Sequence, residues 1–272
     1  MSFLFSQKPS MGIMNLEKGE EHFRLERFLP SIELQLFIKH YWVVEWELAE
    51  DKTHIQEVIP NPCVNLVIES GRTYFYGPAT RKYSYQLSAK GRVFGIKFKP
   101  GGFFPWYRES ISKLIDHPLP VDEIFPISSE ELESIFLNTA SNHMELTSRM
   151  NDALLPLLPP ADKLTLLTDQ MTEYIRLHHE VTRVDQVCEQ FAMNKRTLQR
   201  MFKQYVGISP KNVIKLYRLQ NAAEALDHGQ AVNTLELSLA LGYHDQSHFI
   251  KDFKTIVGQT PDAYTRSVAR RL

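Results

Sequence analysis

The sequence predicts an α+β chain of two domains: a β-rich N-terminal domain of sandwich or small-barrel type that ends in helices, then an all-α domain built from two helix-turn-helix units. Three observations predict it. Short β-prone runs alternate with turn signals from about Phe37 to Phe104. Beyond that point the apolar residues recur at helical spacing almost to the end. In the second half, a block of residues repeats at an offset of 51.

The bulk numbers limit the answer before any motif does. A chain of 272 residues is longer than one typical domain and shorter than three. With 43% hydrophobic, 23% charged and 11% aromatic residues it has the composition of a packed chain rather than a disordered one. No apolar run reaches the roughly 18 residues that a membrane span needs, and Met1 to Pro9 lacks the charged-then-apolar order of a signal peptide. A cytoplasmic protein with no membrane partner is therefore expected. Cys63 and Cys188 are too far apart and too few for a zinc cluster or a disulfide framework, and both read as small core residues.

The first strands expected are Tyr41 to Leu48 and Val64 to Glu69. In Val93 to Lys99 a period of two puts Phe94, Ile96 and Phe98 on one face and Gly95, Lys97 and Lys99 on the other, the pattern of a half-buried strand. Pro60-Asn61-Pro62, Ser70-Gly71, Tyr76-Gly77-Pro78 and Pro100-Gly101-Gly102 punctuate these runs as turns. Helical spacing then appears at Leu132, Ile135 and Phe136 and at Leu146, Met150 and Leu154, and it stops at Leu158-Pro159-Pro160. The double proline is the expected boundary between residues 1–160 and residues 161–272.

In the second half, Phe202-Lys203, Gly207 and Ser209-Pro210 recur as Phe253-Lys254, Gly258 and Thr260-Pro261. Each copy reads as helix, turn, helix, with the units at about 184–205 and 235–257. Asn194 and Asp245 are the expected N-caps of the two trailing helices. Ser209-Pro210 opens a further helix, to about Leu226, that Asp227-His228-Gly229 closes; at ~1.5 Å per residue it is a rod of about 25 Å between the units.

Net charge is −1 for the whole chain, which alone argues against a nucleic-acid partner. The halves differ: residues 161–272 carry 15 Lys and Arg against 12 Asp and Glu, a balance of +3, and residues 1–160 carry 16 against 20, a balance of −4. Placement matters more. With Leu198, Met201, Phe202 and Tyr205 buried, the first trailing helix presents Lys195, Arg196, Gln199, Arg200 and Lys203 outward. With Phe249, Phe253 and Ile256 buried, the second presents Gln246, Ser247, Ile250, Lys251 and Lys254. A guanidinium fork matches guanine O6 and N7, a glutamine amide matches adenine N6 and N7, and an outward isoleucine suits a thymine methyl, so both faces fit a DNA major groove. Two such helices held by a rod would enter successive grooves about 34 Å apart. Lys211 and Lys215 join Lys195 as expected phosphate contacts.

The segment from about Leu164 to Tyr264 resembles the DNA-binding domain of the AraC/XylS family of bacterial transcription regulators. The resemblance rests on Thr197 to Lys203, Val206 to Lys211, Tyr217 to Ala222 and Leu241 to Lys254. It implies a seven-helix module whose two trailing helices read DNA, with Phe191 standing where the family often has glycine. The first half is similar to the N-terminal domain of a subgroup of that family through His40-Tyr41-Trp42, Pro60-Asn61-Pro62, Tyr76-Gly77-Pro78 and Gly95 to Phe103, which implies a cupin-like sensing domain that often also dimerises.

Candidate ligand contacts in that half are Trp42, Trp46, Tyr76, Arg81, Lys97 and Lys99, because aromatics with a few cations line many small-molecule sites. Strand aromatics also serve as core, and surface lysines as solvated charge. The opposing reading makes this half a ligand-free dimerisation or protein-interaction module with a flat strand face. An enzyme is not expected: His22, His40, His54, His117 and His143 look isolated, His178 and His179 would point about 100° apart on a helix, and there is no phosphate loop or nucleophile elbow. No cofactor and no metal is expected. The partners expected are double-stranded DNA and a small-molecule effector, with RNA polymerase and a second copy of the chain left open.

Overall fold

The structure, a computed structural model, describes residues 12–14, 16–137, 142–160, 162–227 and 234–269. A one-turn helix α1 (Leu16–Gly19) precedes eight strands: β1 (Arg24–Phe28), β2 (Ile38–Glu47), β3 (Thr53–Val58), β4 (Asn65–Ile68), β5 (Tyr74–Tyr76), β6 (Tyr83–Ser88), β7 (Lys90–Phe98) and β8 (Leu119–Pro120). Six of them form one antiparallel sheet in the order β1-β2-β7-β4-β5-β8, while β3 and β6 pair with each other in a separate two-stranded sheet. The β-rich region thus starts at Arg24, earlier than the sequence pattern suggests, because Arg24-Leu25-Glu26-Arg27-Phe28 carries two charges on one face of the strand and one on the other.

The two faces of the large sheet meet different surroundings. Tyr41 and Val43 of β2, Leu66 and Ile68 of β4, and Phe94, Ile96 and Phe98 of β7 are almost wholly buried on one face. After α2 (Phe104–Tyr107), helices α3 (Ser129–Phe136) and α4 (His143–Leu154) cover that face, Leu132 and Phe136 from one and Leu146, Met150 and Leu154 from the other. Phe94 and Phe136 pack with ring centroids 4.6 Å apart, and the buried Tyr41 hydroxyl donates to Asn151 Oδ1 at 2.9 Å. The caps are local: Ser128 Oγ accepts from the Glu131 amide and Asn142 Oδ1 from the Glu145 amide, each worth about 1 kcal/mol.

The other face was expected to be wet, and it is not. Val93 and Lys97 of β7 are both buried, because the β3–β6 pair lies over them and encloses a cavity. Two glycines of β7 make the room. A Cβ at Gly95 would sit 2.0 Å from the Trp42 ring and one at Gly91 would sit 2.1 Å from the Trp46 ring, so both indoles lie directly on the β7 backbone.

The rest of the described chain is helical: α5 (Lys163–Leu177), α6 (Val184–Gln190), α7 (Lys195–Met201), α8 (Pro210–Asp227), α9 (Thr234–Ala240), α10 (Gln246–Val257) and α11 (Pro261–Ala269). The expected α8 terminator His228-Gly229 lies outside the described residues. Among the described residues no helix is long and apolar enough to cross a membrane. A second buried cluster, from Met171 to Tyr264, holds these helices together and also takes in Met14 and Ile59 from the N-terminal half. Further ties cross between the halves. Lys39 pairs with Glu173 at 3.3 Å, Lys99 with Asp169 at 3.4 Å, and the Gln220 amide donates to the Pro60 carbonyl at 2.6 Å in a buried position.

Both trailing helices end on a left-handed glycine, Gly207 at φ +89° and Gly258 at φ +86°. The surroundings of the two differ. A Cβ at Gly207 would meet Pro78 Cγ at 2.9 Å and the Ile111 carbonyl oxygen at 3.1 Å, whereas one at Gly258 would meet the end of the Lys82 side chain at 2.5 Å. Alanine in the left-handed region costs roughly 1–2 kcal/mol at either site. Gly207→Ala should therefore lower the thermal midpoint more than Gly258→Ala, since the Lys82 chain can swing aside and a proline ring and a carbonyl cannot; differential scanning calorimetry of the full chain measures the two shifts.

Candidate nucleic-acid interface and N-terminal cavity

The two helix-turn-helix units are built alike. Asn194 Oδ1 accepts from the Thr197 amide at 2.9 Å and Asp245 Oδ1 from the Ser247 amide at 2.9 Å, so both trailing helices are capped at positions 51 apart. Leu198, Phe202, Phe249 and Phe253 are fully buried and fix the inner faces. The first trailing helix widens into a π-turn over Phe202–Val206, with the Gly207 amide bonded to the Phe202 carbonyl, while α10 stays regular to Val257.

The turns differ by one residue. In the second unit Gly242 takes the left-handed conformation at φ +72°; its counterpart Phe191 sits at φ −105°, and the next residue, Ala192, turns left-handed at φ +48° instead. The closing bond shifts with it, from Tyr243 N–H to Ser238 O in the second unit to Met193 N–H to Cys188 O in the first. Phe191 is thus accommodated by a leading helix that ends one residue later in register, and both caps still fall in step.

The second unit is pinned to α8 by side chains that the sequence reading gave no such role. Arg218 donates to the Leu241 carbonyl at 2.7 Å and lies 4.1 Å over the Tyr243 ring. The Tyr243 hydroxyl donates to Asp252 Oδ2 at 3.3 Å, and Lys215 pairs with Asp252 Oδ1 at 3.4 Å. Lys215, expected at a phosphate, is half-buried and holds α8 to α10 in this structure.

Arg196, Gln199, Arg200 and Lys203 are exposed on the first trailing helix; Lys195 is exposed beside them and ion-paired to Asp185 at 3.1 Å. On the second, Ser247, Lys251 and Lys254 are exposed, Gln246 is half-buried, and Ile250 is half-buried against the core. Lys211 is exposed at the start of α8. Contacts from the N-terminal half fall at the C-terminal ends of these helices, where Phe104 stacks on Tyr205 with centroids 4.0 Å apart and Ser110 Oγ donates to the Lys203 carbonyl at 3.1 Å. The outward faces stay uncovered.

The N-terminal cavity measures about 480 Å³. Its floor is one face of the large sheet, where β2 contributes His40, Trp42, Val44 and Trp46 at a period of two; β3 and β6 supply the opposite wall with Gln56, Val58, Tyr83, Tyr85 and Leu87. Of the expected ligand contacts, Trp42, Trp46, Tyr76 and Lys97 line it. Arg81 is exposed outside, and Lys99, just past the end of β7, points to α5 and pairs with Asp169. Arg27, His40, Cys63 and Asn65 also line it and were missed, although the alternation of β2 already puts His40 on the same face as both tryptophans.

Lys97 is the unusual member. It is 6% exposed and has neither an acidic partner nor a hydrogen bond among the described residues. Burial pulls its ammonium from the usual range down to about 8, with the nearby Lys39 and Arg27 acting in the same direction against the Cys63 thiol. Burial, then the charge of Lys97, holds His40 down to about 3, so its imidazole is neutral at pH 7. Burial also raises the Cys63 thiol. Elsewhere, three histidines that looked isolated are not: His22 and His54 stack with centroids 4.3 Å apart, and His143 bridges Glu26 at 2.8 Å and Glu45 at 3.2 Å. No three His, Cys, Asp or Glu side chains converge as a metal cluster among the described residues.

Comparison with known proteins finds two separate family matches. Residues 187–267 match a family described as a helix-turn-helix domain, and residues 26–120 match a domain of unknown function (DUF6597). An uncharacterized HTH-type transcriptional regulator of Haemophilus influenzae is 34% identical over 86 residues, which is 32% of this chain and 28% of that protein. RhaS, an HTH-type transcriptional activator of Escherichia coli, is 34% identical over 77 residues, or 28% of this chain and 27% of RhaS. The match thus spans less than a third of either relative. Among solved structures, the C-terminal domain of AraT, a response regulator from Geobacillus stearothermophilus, is 28% identical and covers 39% of this chain and 88% of its own, with a TM-score of 0.36. ToxT from Vibrio cholerae O395, solved with bound (E)-4-(8-methylnaphthalen-1-yl)but-3-enoic acid, is 11% identical and covers 91% of this chain and 99% of its own, with a TM-score of 0.37.

The depressed Lys97 sets a stability difference with a defined sign. Below its folded pKa of about 8 the protein carries the full cost of a buried charge; between there and the unfolded value near 10.5 the unfolded chain holds the extra proton, so that cost fades as pH rises. Lys97→Met should raise the thermal midpoint at pH 7, and the gain over the wild type should shrink as pH climbs through this window. Midpoints of both proteins measured from pH 7 to pH 10.5 check it.

Proposed function

Residues 187–267 form a helix-turn-helix domain of the AraC/XylS type, and from that premise we propose that the chain is a sequence-specific DNA-binding transcription regulator whose N-terminal domain responds to a small-molecule effector. The observation that carries the DNA-binding part is the pair of trailing helices, capped alike 51 residues apart, buried on matching faces and bare on the faces that hold cations and amides. Arg196, Gln199, Arg200, Gln246, Ser247 and Lys251 are the base-reading side chains on this reading. Lys195, Lys203, Lys211 and Lys254 hold phosphates, and the exposed part of Ile250 is what a thymine methyl would meet. On this reading the protein works in the cytoplasm, where its DNA lies.

The effector part rests on the cavity. About 480 Å³ lies within the range of small-molecule sites, and a pocketed strand face is what the ligand-free module lacks. The cavity wall is also joined to the DNA-reading half. Tyr76, Gly77, Pro78 and Ala79 line the cavity, and the same loop brings Pro78 against Gly207 and Lys82 against Gly258. Leu114 lines it from the segment that sets Ile111 on Gly207. A ligand that moves this wall biases the ends of both trailing helices, and linkage requires DNA to bias the ligand equally. The division at Pro159-Pro160 is supported by the two separate buried clusters.

An operator selected by the protein from a random duplex pool provides the test. Arg200→Ala should cost roughly 1–3 kcal/mol on the selected operator and little on random DNA. Equal losses on both would remove Arg200 from base reading. Lys211→Ala should weaken both alike and lower the slope of affinity against salt by about one counterion.

A further inference from the structure

We propose that the N-terminal cavity is a site for a small monoanion, a carboxylate carried on an apolar body, with the Lys97 ammonium as its counter-charge and Trp42 as its platform. The inference rests on the effector reading above and names the class of molecule that the site takes.

Three features of the cavity point the same way. First, its surface is largely apolar: aromatic rings come from both sheets, with Trp42 and Trp46 on the floor and Tyr83 and Tyr85 opposite. A ligand that fills it must be mostly apolar, because most of the wall is rings and aliphatic chains and its polar groups are too few to replace the hydration of a polar body. Second, a cation stands inside with nothing to neutralise it. Lys97 is 94% removed from solvent by its 6% exposure, it lines the cavity, and it finds no carboxylate among the described residues. A buried ammonium is costly to keep unless an anion arrives, and a ligand carboxylate forms a charge-assisted hydrogen bond where water is excluded. With a pKa of about 8 the group is still mostly protonated at neutral pH. Third, the geometry is built around this arrangement. Gly91 and Gly95 allow the indoles to lie flat on β7, two positions before Lys97 in the case of Gly95, which puts a ring surface beside the charge.

The charge count favours one negative charge over two. Arg27, Arg72 and Lys97 line the cavity together with Glu69 and Asp116, a formal balance of one positive charge; Arg72 is paired with Glu69, Lys39 nearby is paired with Glu173, and His40 is neutral at pH 7, with its pKa near 3. A dianion such as a phosphate monoester would keep an uncompensated charge against apolar walls. A primary amine or other cation would meet Lys97 directly and is excluded by like-charge repulsion.

The test uses the full chain and pairs of probes with one carbon frame: 3-phenylpropionate, 4-phenylbutyrate and 6-phenylhexanoate, each against its primary amide, titrated at pH 7 by quenching of tryptophan fluorescence. At least one carboxylate should bind tenfold or more tightly than its amide in the wild type. In Lys97→Met, checked by circular dichroism to be folded, that preference should vanish or reverse. Equal binding of acid and amide in the wild type, a preference that survives Lys97→Met, or no binding by any of the carboxylates would each overturn the proposal. Affinity for the selected operator, measured in the same samples, separates it from the reading it rests on. A carboxylate preference that depends on Lys97, with unchanged DNA affinity, would keep the ligand class and remove the effector role. An amide that binds as well as its acid and still shifts DNA affinity would keep the effector role and remove the ligand class.

Discussion

The whole N-terminal half is organised around one strand that has to serve two interiors. β7 pairs with β2 along most of its length and with β4 on its other edge from Phe94 to Lys97, so over that stretch both edges are paired and only the side chains can choose their surroundings. On one face Phe94, Ile96 and Phe98 close an aromatic core under α3 and α4; on the other, glycines admit two indoles and Lys97 stands in a cavity. Slipping the register by one residue would exchange the two sets, putting an ammonium in the aromatic core and phenylalanines in the cavity. The ten-residue partner β2 obeys the same division, with Tyr41 and Val43 inward and His40, Trp42 and Trp46 toward the cavity. The core and the candidate ligand site are therefore specified by a single alternation.

Much of the C-terminal half was legible from residues alone because its signals are local. An N-cap asparagine or aspartate, a left-handed glycine and a phenylalanine at fixed distances describe a helix completely, and their repetition at 51 residues identified two copies without any knowledge of the packing. The one departure, Phe191, was readable as a departure and not as a solution. Shifting the left-handed residue to Ala192 depends on how far α6 extends, and tertiary packing decides that.

The N-terminal cavity was legible only in part, and for a physical reason. A period of two states that two faces differ, but it does not state what covers each. Lys97 sat opposite Phe94, Ile96 and Phe98 in the pattern, so solvent was the natural inference. The cover comes from β3 and β6, whose Thr53, Gln56 and Glu57 in one and Ser84, Gln86 and Ser88 in the other give a weak apolar signal, and whose pairing joins segments about thirty residues apart. Lys99 misled in the other direction: two residues past Lys97, it leaves the strand and reaches α5. Lys215 behaves similarly, since a helix wheel shows its angle but not the Asp252 carboxylate waiting on α10.

The loop between β5 and β6 touches the closing turns of both trailing helices, Pro78 against one and Lys82 against the other, and Lys82 is anchored in turn by an ion pair to Glu57. If the two trailing helices read DNA as proposed, heads joined by a rod alone would be free to evolve separately, each adjusting to its own half of a binding sequence. Here they share a third fixed point, so an insertion or deletion of one residue among positions 77–82 would displace both heads at once, and against each other, on a duplex whose bases are spaced about 3.4 Å apart. Changes in the spacing of the target sequence would then accumulate in a short loop far from any base-reading side chain, and descendants of this chain that recognise re-spaced sites should differ there first.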